Sequence, residues 1–220
     1  NWLKDVVKKL TKNKEDIAQT LCDEVGKPIT YARIEVDRCI ETLKLSNIAM
    51  VSSHGETINT DAMESGKKTT AYWFREPVGV VACITPFNFP LNLVAHKVAP
   101  ALVSGNAVVL KPTPEAPLTA YKFIKLFIES EYAIKDAISL VYGDVEVGST
   151  LVESMIPRVL SFTGSVPVGN IITKSAGIKK VALELGGNAA TFIDKSADLE
   201  LAAQRCAFGA FVNSGDRKSV

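Results

Sequence analysis

Four groups in this 220-residue chain stand where a buried strand is about to end. The first is a single carboxylate, Glu184, which follows the apolar run Val181-Ala182-Leu183 and comes just before the pair Gly186-Gly187. That run reads as a buried strand. An acid at the carboxyl end of such a strand is costly to bury unless it is hydrogen-bonded or engaged in chemistry. Open α/β sheets take their ligands at that edge. The second is Asn88, within Thr85-Pro86-Phe87-Asn88-Phe89-Pro90. Two prolines stiffen this turn, and a carboxamide between two aromatic rings is able to donate to an oxyanion, an interaction of about 2.7–4 kcal/mol in a transition state. The same residue type also caps its own turn. The third is Lys111, directly after the run Asn106–Leu110, a cation suited to ribose hydroxyls or phosphate, or one that simply extends past the sheet to water. The fourth is Phe162-Thr163-Gly164-Ser165, where a strand gives way to a helix. Gly164 admits a ligand to the backbone. The helix start offers unpaired N–H groups and a positive dipole end to pyrophosphate, and Ser165 either caps the helix or touches phosphate. The chain has no G-x-G-x-x-G fingerprint, so this motif alone is a weak sign of dinucleotide binding.

The elements that must position these groups follow from periodicity. Leu3, Val6, Val7 and Leu10 have the spacing of an amphipathic helix over residues 2–12. A second helix runs from about Glu15 to Val25 and stops at Gly26, with Pro28 beyond. A third runs from about Thr30 to Met50, so the first 50 residues read as helices that cover something else. A polar stretch at 52–70 leads into a strand, Thr69–Arg75, with Glu56–Asn59 as its hairpin partner; its exposed aromatics suit a partner subunit or the body of the fold. From Pro77 onward the texture changes. Val78–Ile84 is an unbroken apolar run, the mark of a strand buried on both faces. Helices at about 92–104, around Ile124–Ile128, after Gly143 and after Ser165 then alternate with strands Asn106–Leu110, Ser139–Tyr142, Val159–Phe162, Val181–Leu183 and Ala190–Ile193, and a last helix runs from about Ala197 to Phe211. Alternation of this kind predicts a parallel sheet with right-handed crossovers.

Composition narrows the function. With 25 basic and 24 acidic residues the net charge is +1, so no basic surplus exists to neutralise a nucleic acid. The four cysteines, Cys22, Cys39, Cys83 and Cys206, form no CxxC pair, which predicts reduced core thiols and no metal site. No apolar run approaches the roughly 20 residues a membrane helix needs. With no signal peptide, a cytoplasmic setting is expected. The chain opens at Asn1-Trp2 already inside a helical pattern, which suggests further residues upstream.

Taken together and in order, several motifs resemble the aldehyde dehydrogenase superfamily: Gly26-Lys27-Pro28, Glu76-Pro77-Val78-Gly79, Pro86-Phe87-Asn88-Phe89-Pro90, Lys111-Pro112, Phe162-Thr163-Gly164-Ser165, Glu184-Leu185-Gly186-Gly187-Asn188, Ala197-Asp198-Leu199 and Asn213-Ser214-Gly215. The resemblance implies an α/β fold: a Rossmann-like parallel sheet flanked by helices, an oligomerisation ribbon and a truncated second, catalytic α/β domain. It implies an NAD(P)-binding domain over residues 1–186, interrupted by the ribbon at 56–77, and the start of the catalytic domain at 187–220. It assigns Asn88 to the oxyanion hole and Glu184 to the base that activates the deacylating water. It places NAD or NADP against Ile84, Thr85, Pro86, Phe87, Lys111, Thr113, Pro114, Gly143, Gly148, Phe162, Thr163, Gly164, Ser165, Val168, Leu185 and Gly186. The implied reaction oxidises a small aldehyde to its acid through a cysteine thioester, in a homodimer or homotetramer. The Asn88 loop resembles the branch acting on small hydroxy-, phospho- or semialdehydes such as lactaldehyde and succinate semialdehyde, with most substrate-tunnel residues expected beyond residue 220.

Three departures qualify that expectation. Lys218 stands where the family has its nucleophilic cysteine, so the chain alone is expected to be inactive, either as an N-terminal portion of an enzyme or as a non-catalytic nucleotide-binding relative. Pro114 stands where NAD-preferring members often carry a ribose-binding glutamate, with Glu115 one step late, which leans the expectation towards NADP. The loop Gly143-Asp144-Val145-Glu146-Val147-Gly148 is one residue shorter between its glycines than the family pattern.

Overall fold

The apolar run ending at Ile84 forms the central strand of a five-stranded parallel sheet in the computed structural model, which describes residues 1–187 and 190–211. Three helices come first: α1 (Trp2–Lys12), α2 (Lys14–Val25) and α3 (Ile29–Val51). The two-stranded antiparallel ribbon β1 (Glu56–Ile58) and β2 (Ala71–Trp73) follows, paired Glu56 to Trp73 and Ile58 to Ala71. The sheet is then built from β3 (Val80–Ile84), α4 (Asn92–Val103), β4 (Ala107–Lys111), α5 (Pro117–Ile128), β5 (Ile138–Leu140), α6 (Val145–Glu153), β6 (Val159–Gly164), α7 (Val166–Ser175) and β7 (Lys180–Leu185), with α8 (Leu199–Phe211) last. The strand order is β5-β4-β3-β6-β7. The chain winds outward in one direction to β5 and then crosses back to β6 beside β3. The crevice between β3 and β6 is therefore the point where strand order reverses, and sheets of this class bind ligands there.

Side chains alternate across a strand, and paired residues in neighbouring parallel strands share a face. Val81, Cys83, Val108 and Leu110 pack into one core with α1 to α5, including Leu10, Leu21, Leu43, Phe123 and Phe127. Ala82, Leu160 and Phe162 pack on the other face against Val152 of α6, Ile172 of α7 and Ala176 just after it. The three N-terminal helices thus cover the sheet's α4 face, as their apolar stripes require.

Contacts distant in sequence lock these helices together. The Trp2 indole donates to Phe127 O at 2.9 Å. Glu24, near the end of α2, caps α5: it accepts from Leu118 N at 2.6 Å, and from Thr119 N at 2.8 Å and Thr119 Oγ1 at 2.6 Å. Since α5 starts at Pro117 after Ala116, this borrowed carboxylate satisfies its first N–H groups and meets its positive dipole end. Glu24→Ala should destabilise the fold by about 1–2 kcal/mol. A urea denaturation series that gave a midpoint unchanged from wild type would refute the cap's role.

Three expectations need correction. The first strand of the sheet starts at Val80 rather than Val78, because Val78 N and Gly79 N donate to the Asn106 side chain at 2.7 and 3.1 Å and Gly79 takes a φ of 109°. The ribbon strand is shorter than Thr69–Arg75, since its partner pairs only three residues. Ala190–Ile193 is not a strand. Among the described residues it has no ladder partner, and Phe192 is 88% exposed; apolar patterning alone does not form a strand without a neighbour to bond. No helix among the described residues is long and apolar enough to cross a membrane.

Candidate functional site

The carboxyl edge of the sheet gathers the groups singled out in the sequence. Lys111, Ile84, Phe162 and Leu183 lie on one row across β4, β3, β6 and β7. Glu184 pairs with Thr163 one residue further out. Cys83, Ser161 and Ala182 share a face, so two residues on Thr85, Thr163 and Glu184 line the same side. This is the α4 side, since Lys97 of α4 donates to Ser161 Oγ at 3.2 Å. Lys111 projects to the opposite side, where a Cβ on Gly148 of α6 would sit 3.7 Å from its Cε. The edge thus separates two environments: Thr85, Thr163 and Glu184 on the α4 face, Lys111 and Phe162 towards α6 and α7.

Glu184 is exposed rather than buried. β7 is the edge strand of the sheet, and its burial alternates, with Val181 and Leu183 packed on α7 while Ala182 and Glu184 stay open among the described residues. The expected buried strand is therefore half-buried. Glu184 interacts with two α4 side chains. Burial pushes the His96 imidazole down, helped by Lys97 and Arg38 and opposed by Glu184. Burial likewise pushes the Lys97 amine down, opposed by Cys83 and Glu184. Lys97 and His96 were invisible in the sequence. They sit on an apolar helix, and only the packing of α4 on β3 and β4 brings them within electrostatic reach of the acid.

Asn88 is half-buried in the turn after β3, and its Oδ1 accepts from Phe89 N at 3.0 Å. The turn-capping role considered in the sequence is therefore real, and Nδ2 is the donor end of the carboxamide. The backbone of the same turn accepts a bond from Lys27 Nζ, 2.7 Å from Asn88 O.

Both sides of the edge carry polar groups. Thr85 Oγ1 and Thr163 Oγ1 are buried and have no hydrogen-bond partner among the described residues. They lie at the ends of β3 and β6, at the strand-order reversal. Orphaned hydroxyls in a native interior call for a ligand or water. Ser165 is the N-cap of α7 and makes no side-chain cap bond among the described residues. Gly164 has little room for a side chain, because a Cβ there would meet Phe162 Cζ at 2.4 Å. Gly143 takes a φ of 145°, a conformation costly for other residues. Lys111 is 7% exposed, and desolvation pushes its amine down, opposed by Asp144 and Glu115. Thr113 is buried and its hydroxyl donates to the Glu115 carboxylate, while Pro114 is exposed. Ile84 and Pro86 are half-buried and Phe87 exposed at the mouth, Val168 is exposed on α7, and Leu185 lies over Gly169 of the same helix, with Gly186 exposed beyond it. The residues present thus fit a dinucleotide laid over the edge. Asn188 and the segment Asn213–Val220, including Lys218, lie outside the described residues. Cys83 stands two residues before Thr85 but is fully buried, its thiol pushed up to about 12, so it is a packing residue and not a nucleophile.

A groove not anticipated in the sequence runs between α3 and α4. It comprises two adjoining recesses of about 420 and 380 Å³ that share Thr42, Leu45 and His96. The second is also lined by Arg38, Glu41 and Phe89, and Phe89 puts its mouth next to Asn88. The Arg38 guanidinium lies 5.8 Å from the centre of the Phe89 ring.

Comparison with known proteins gives a concordant result. The family model described as "Aldehyde dehydrogenase family" matches residues 1–219. Lactaldehyde dehydrogenase from Methanococcus aeolicus is 43% identical over 219 residues, spanning 98% of this chain and 46% of the relative. The structure of an NADP-dependent glyceraldehyde-3-phosphate dehydrogenase from Bacillus halodurans, complexed with NADP, superposes with a TM-score of 0.92 at 36% identity, covering 98% of this chain and 46% of that one. An aldehyde dehydrogenase from Physcomitrella patens in complex with the reaction product succinate superposes with a TM-score of 0.89 at 39% identity, covering 96% and 44%. The chain spans less than half the length of each.

Proposed function

Because the chain belongs to the aldehyde dehydrogenase family, we propose that it forms the cofactor-binding half of an NAD(P)-dependent enzyme that oxidises a small aldehyde to its carboxylic acid through a cysteine thioester. The observation that carries this reading is the carboxyl edge itself. Orphaned Thr85 and Thr163 hydroxyls mark the strand-order reversal, with Asn88 and Glu184 beside them. On this reading residues 1–55 and 78–186 are the dinucleotide domain, 56–77 the oligomerisation ribbon and 187–220 the start of the catalytic domain.

Each residue has a physical task. Lys111, anchored against Gly148, holds the adenosine ribose, while Thr113, Pro114, Gly143 and Val168 border the adenine side. Gly164, Ser165 and the start of α7 receive the pyrophosphate through backbone N–H groups. Ile84, Thr85, Pro86, Phe87, Phe162, Thr163, Leu185 and Gly186 line the path to the nicotinamide. The bound NAD(P) supplies the hydride acceptor. Asn88 Nδ2 donates to the oxygen that becomes negative when a thiolate adds to the aldehyde carbon. Glu184 removes a proton from the water that cleaves the thioester, with the Lys97 amine of α4 as its cationic neighbour.

NADP is the favoured cofactor. Pro114 offers no carboxylate to the ribose, and one Glu115 oxygen is already engaged by Thr113. The Bacillus halodurans relative was solved with NADP. Lys111→Ala should weaken NADP binding by about 10- to 100-fold, the loss of one charge-assisted hydrogen bond, without lowering the melting temperature of the ligand-free protein. Calorimetric titration of wild type and variant decides it, and equal dissociation constants would rule out a ribose contact.

Lactaldehyde, named for the Methanococcus aeolicus relative, and succinate, bound to the Physcomitrella patens one, both suggest a small aldehyde bearing a hydroxyl or acidic group. The groove beside Asn88 offers a place for such a tail, with the Arg38 guanidinium, the Glu41 carboxylate and His96 in its lining. The competing reading is nucleotide binding without turnover, favoured by Lys218 at the position of the family's cysteine. NADPH formation from lactaldehyde by the native protein excludes that reading. Tight NADP binding without NADPH formation from any small aldehyde supports it.

A further inference from the structure

The turn that carries Asn88 is gripped from outside by two buried charges that the reaction itself does not require. Lys27, between Gly26 and Pro28, is 2% exposed, and Glu35 on α3 is 1% exposed. Lys27 Nζ lies 2.5 Å from Glu35 Oε2 and donates to Asn88 O at 2.7 Å. It also sits 4.3 Å from the centre of the Phe89 ring. Glu35 Oε1 accepts from Leu91 N at 2.9 Å and Asn92 N at 3.1 Å. Every donor and acceptor of the pair that reaches this turn is therefore used, which is the condition under which a buried ion pair persists.

The pair acts on one peptide plane. The carbonyl of the Asn88–Phe89 peptide is held by Lys27, and its N–H is held by Asn88 Oδ1 at 3.0 Å. Rotation of that plane would carry the carboxamide with it, because Oδ1 is tied to the N–H. Fixing the plane therefore fixes the direction of Nδ2. The two backbone bonds from Glu35 fix the other end of the turn, where α4 begins at Asn92.

We infer that Lys27 and Glu35 are positioning residues for the oxyanion donor, acting on Asn88 through the Asn88–Phe89 peptide plane. The inference rests on the oxyanion role proposed for Asn88. It concerns the rate of the hydride-transfer step and not cofactor affinity, since neither residue lies at the strand-order reversal.

The test uses the native protein and the variant pair Lys27→Met/Glu35→Gln. This double variant leaves no unpaired buried charge and keeps a carbonyl oxygen for Leu91 and Asn92, but removes the donor to Asn88 O. The first-turnover burst of NADPH with lactaldehyde is expected to slow roughly 10- to 100-fold, the cost of a donor displaced by about 1 Å. The NADP dissociation constant should stay at the wild-type value. In an Asn88→Ala background the same double substitution should slow the burst no further, because residues acting through one group do not add. Glu35→Asp, which keeps both charges and shortens the reach, gives a smaller loss with the same non-additivity and serves if the double variant does not fold. A wild-type burst in the double variant, or an equal loss with and without Asn88, overturns the inference alone. A wild-type burst in Asn88→Ala overturns the oxyanion reading and the inference with it.

Discussion

Glu184→Gln should let the native protein release one equivalent of NADPH at the wild-type rate and then nearly stop. Steady-state turnover is expected to fall by about 10²–10⁴-fold, the usual weight of a positioned general base. The separation follows from the order of the chemistry. Hydride leaves before water attacks, so a group that serves only the water has no effect on the burst. The geometry supports this role. Glu184 is exposed at the sheet edge, level with Thr163, on the open face of β7 and within electrostatic reach of Lys97 and His96. An exposed carboxylate meets water without any rearrangement. Rapid-mixing measurement of NADPH, followed by quenching and mass analysis of the protein, reads both phases. Loss of the burst itself would count against the base role.

Asn88→Ala should produce the opposite pattern. The burst is expected to slow by about 10²–10³-fold, the cost of one missing oxyanion donor, and the steady state should fall with it. Cofactor affinity should not change, because the task proposed for the Asn88 carboxamide lies at the aldehyde oxygen and not at the cofactor. The turn should also lose the bond from Phe89 N to Oδ1, so some loosening is part of the effect. Asn88→Asp sorts the two contributions. It keeps an acceptor for Phe89 N but removes the donor, so a burst as slow as that of Asn88→Ala assigns the loss to the donor. A burst close to wild type in Asn88→Asp would assign it to the turn instead.

Much of this arrangement was legible in the sequence, for physical reasons. Unbroken apolar runs such as Val80–Ile84 and alternating helices admit few arrangements other than a parallel sheet, and ligand chemistry in such sheets gathers at the carboxyl ends of the strands. Asn88, Lys111, Gly164 and Glu184 were therefore identifiable from their places at strand ends. What escaped the sequence was everything decided by packing at long range. Lys27 bonds a carbonyl 61 residues away, and Glu35 bonds backbone 56 and 57 residues away. Lys97 reaches Ser161 across 64 residues. Such pairs leave no periodic trace, and each residue alone reads as an ordinary surface charge on a turn or a helix. Glu184 was expected at the end of a buried strand because apolar content reports a capacity for burial, whereas β7 is an edge strand with one face covered. Ala190–Ile193 failed as a strand for a related reason. Its composition suits a ladder, but the described residues offer it no partner.

The groove between α3 and α4 has the same origin. Arg38, Thr42 and His96 come from two helices about 50 residues apart in sequence, and only the crossing of those helices sets them beside Phe89 and Asn88.

The most direct measurement is the mass of Glu184→Gln protein quenched after mixing with NADP and lactaldehyde, with NADPH followed in parallel. The account predicts one lactyl adduct per active site, carried on a cysteine as a thioester, and a matching equivalent of NADPH. Bound NADP with neither adduct nor NADPH, in wild type as well as in the variant and with any small aldehyde, would contradict it and leave a nucleotide-binding protein without turnover.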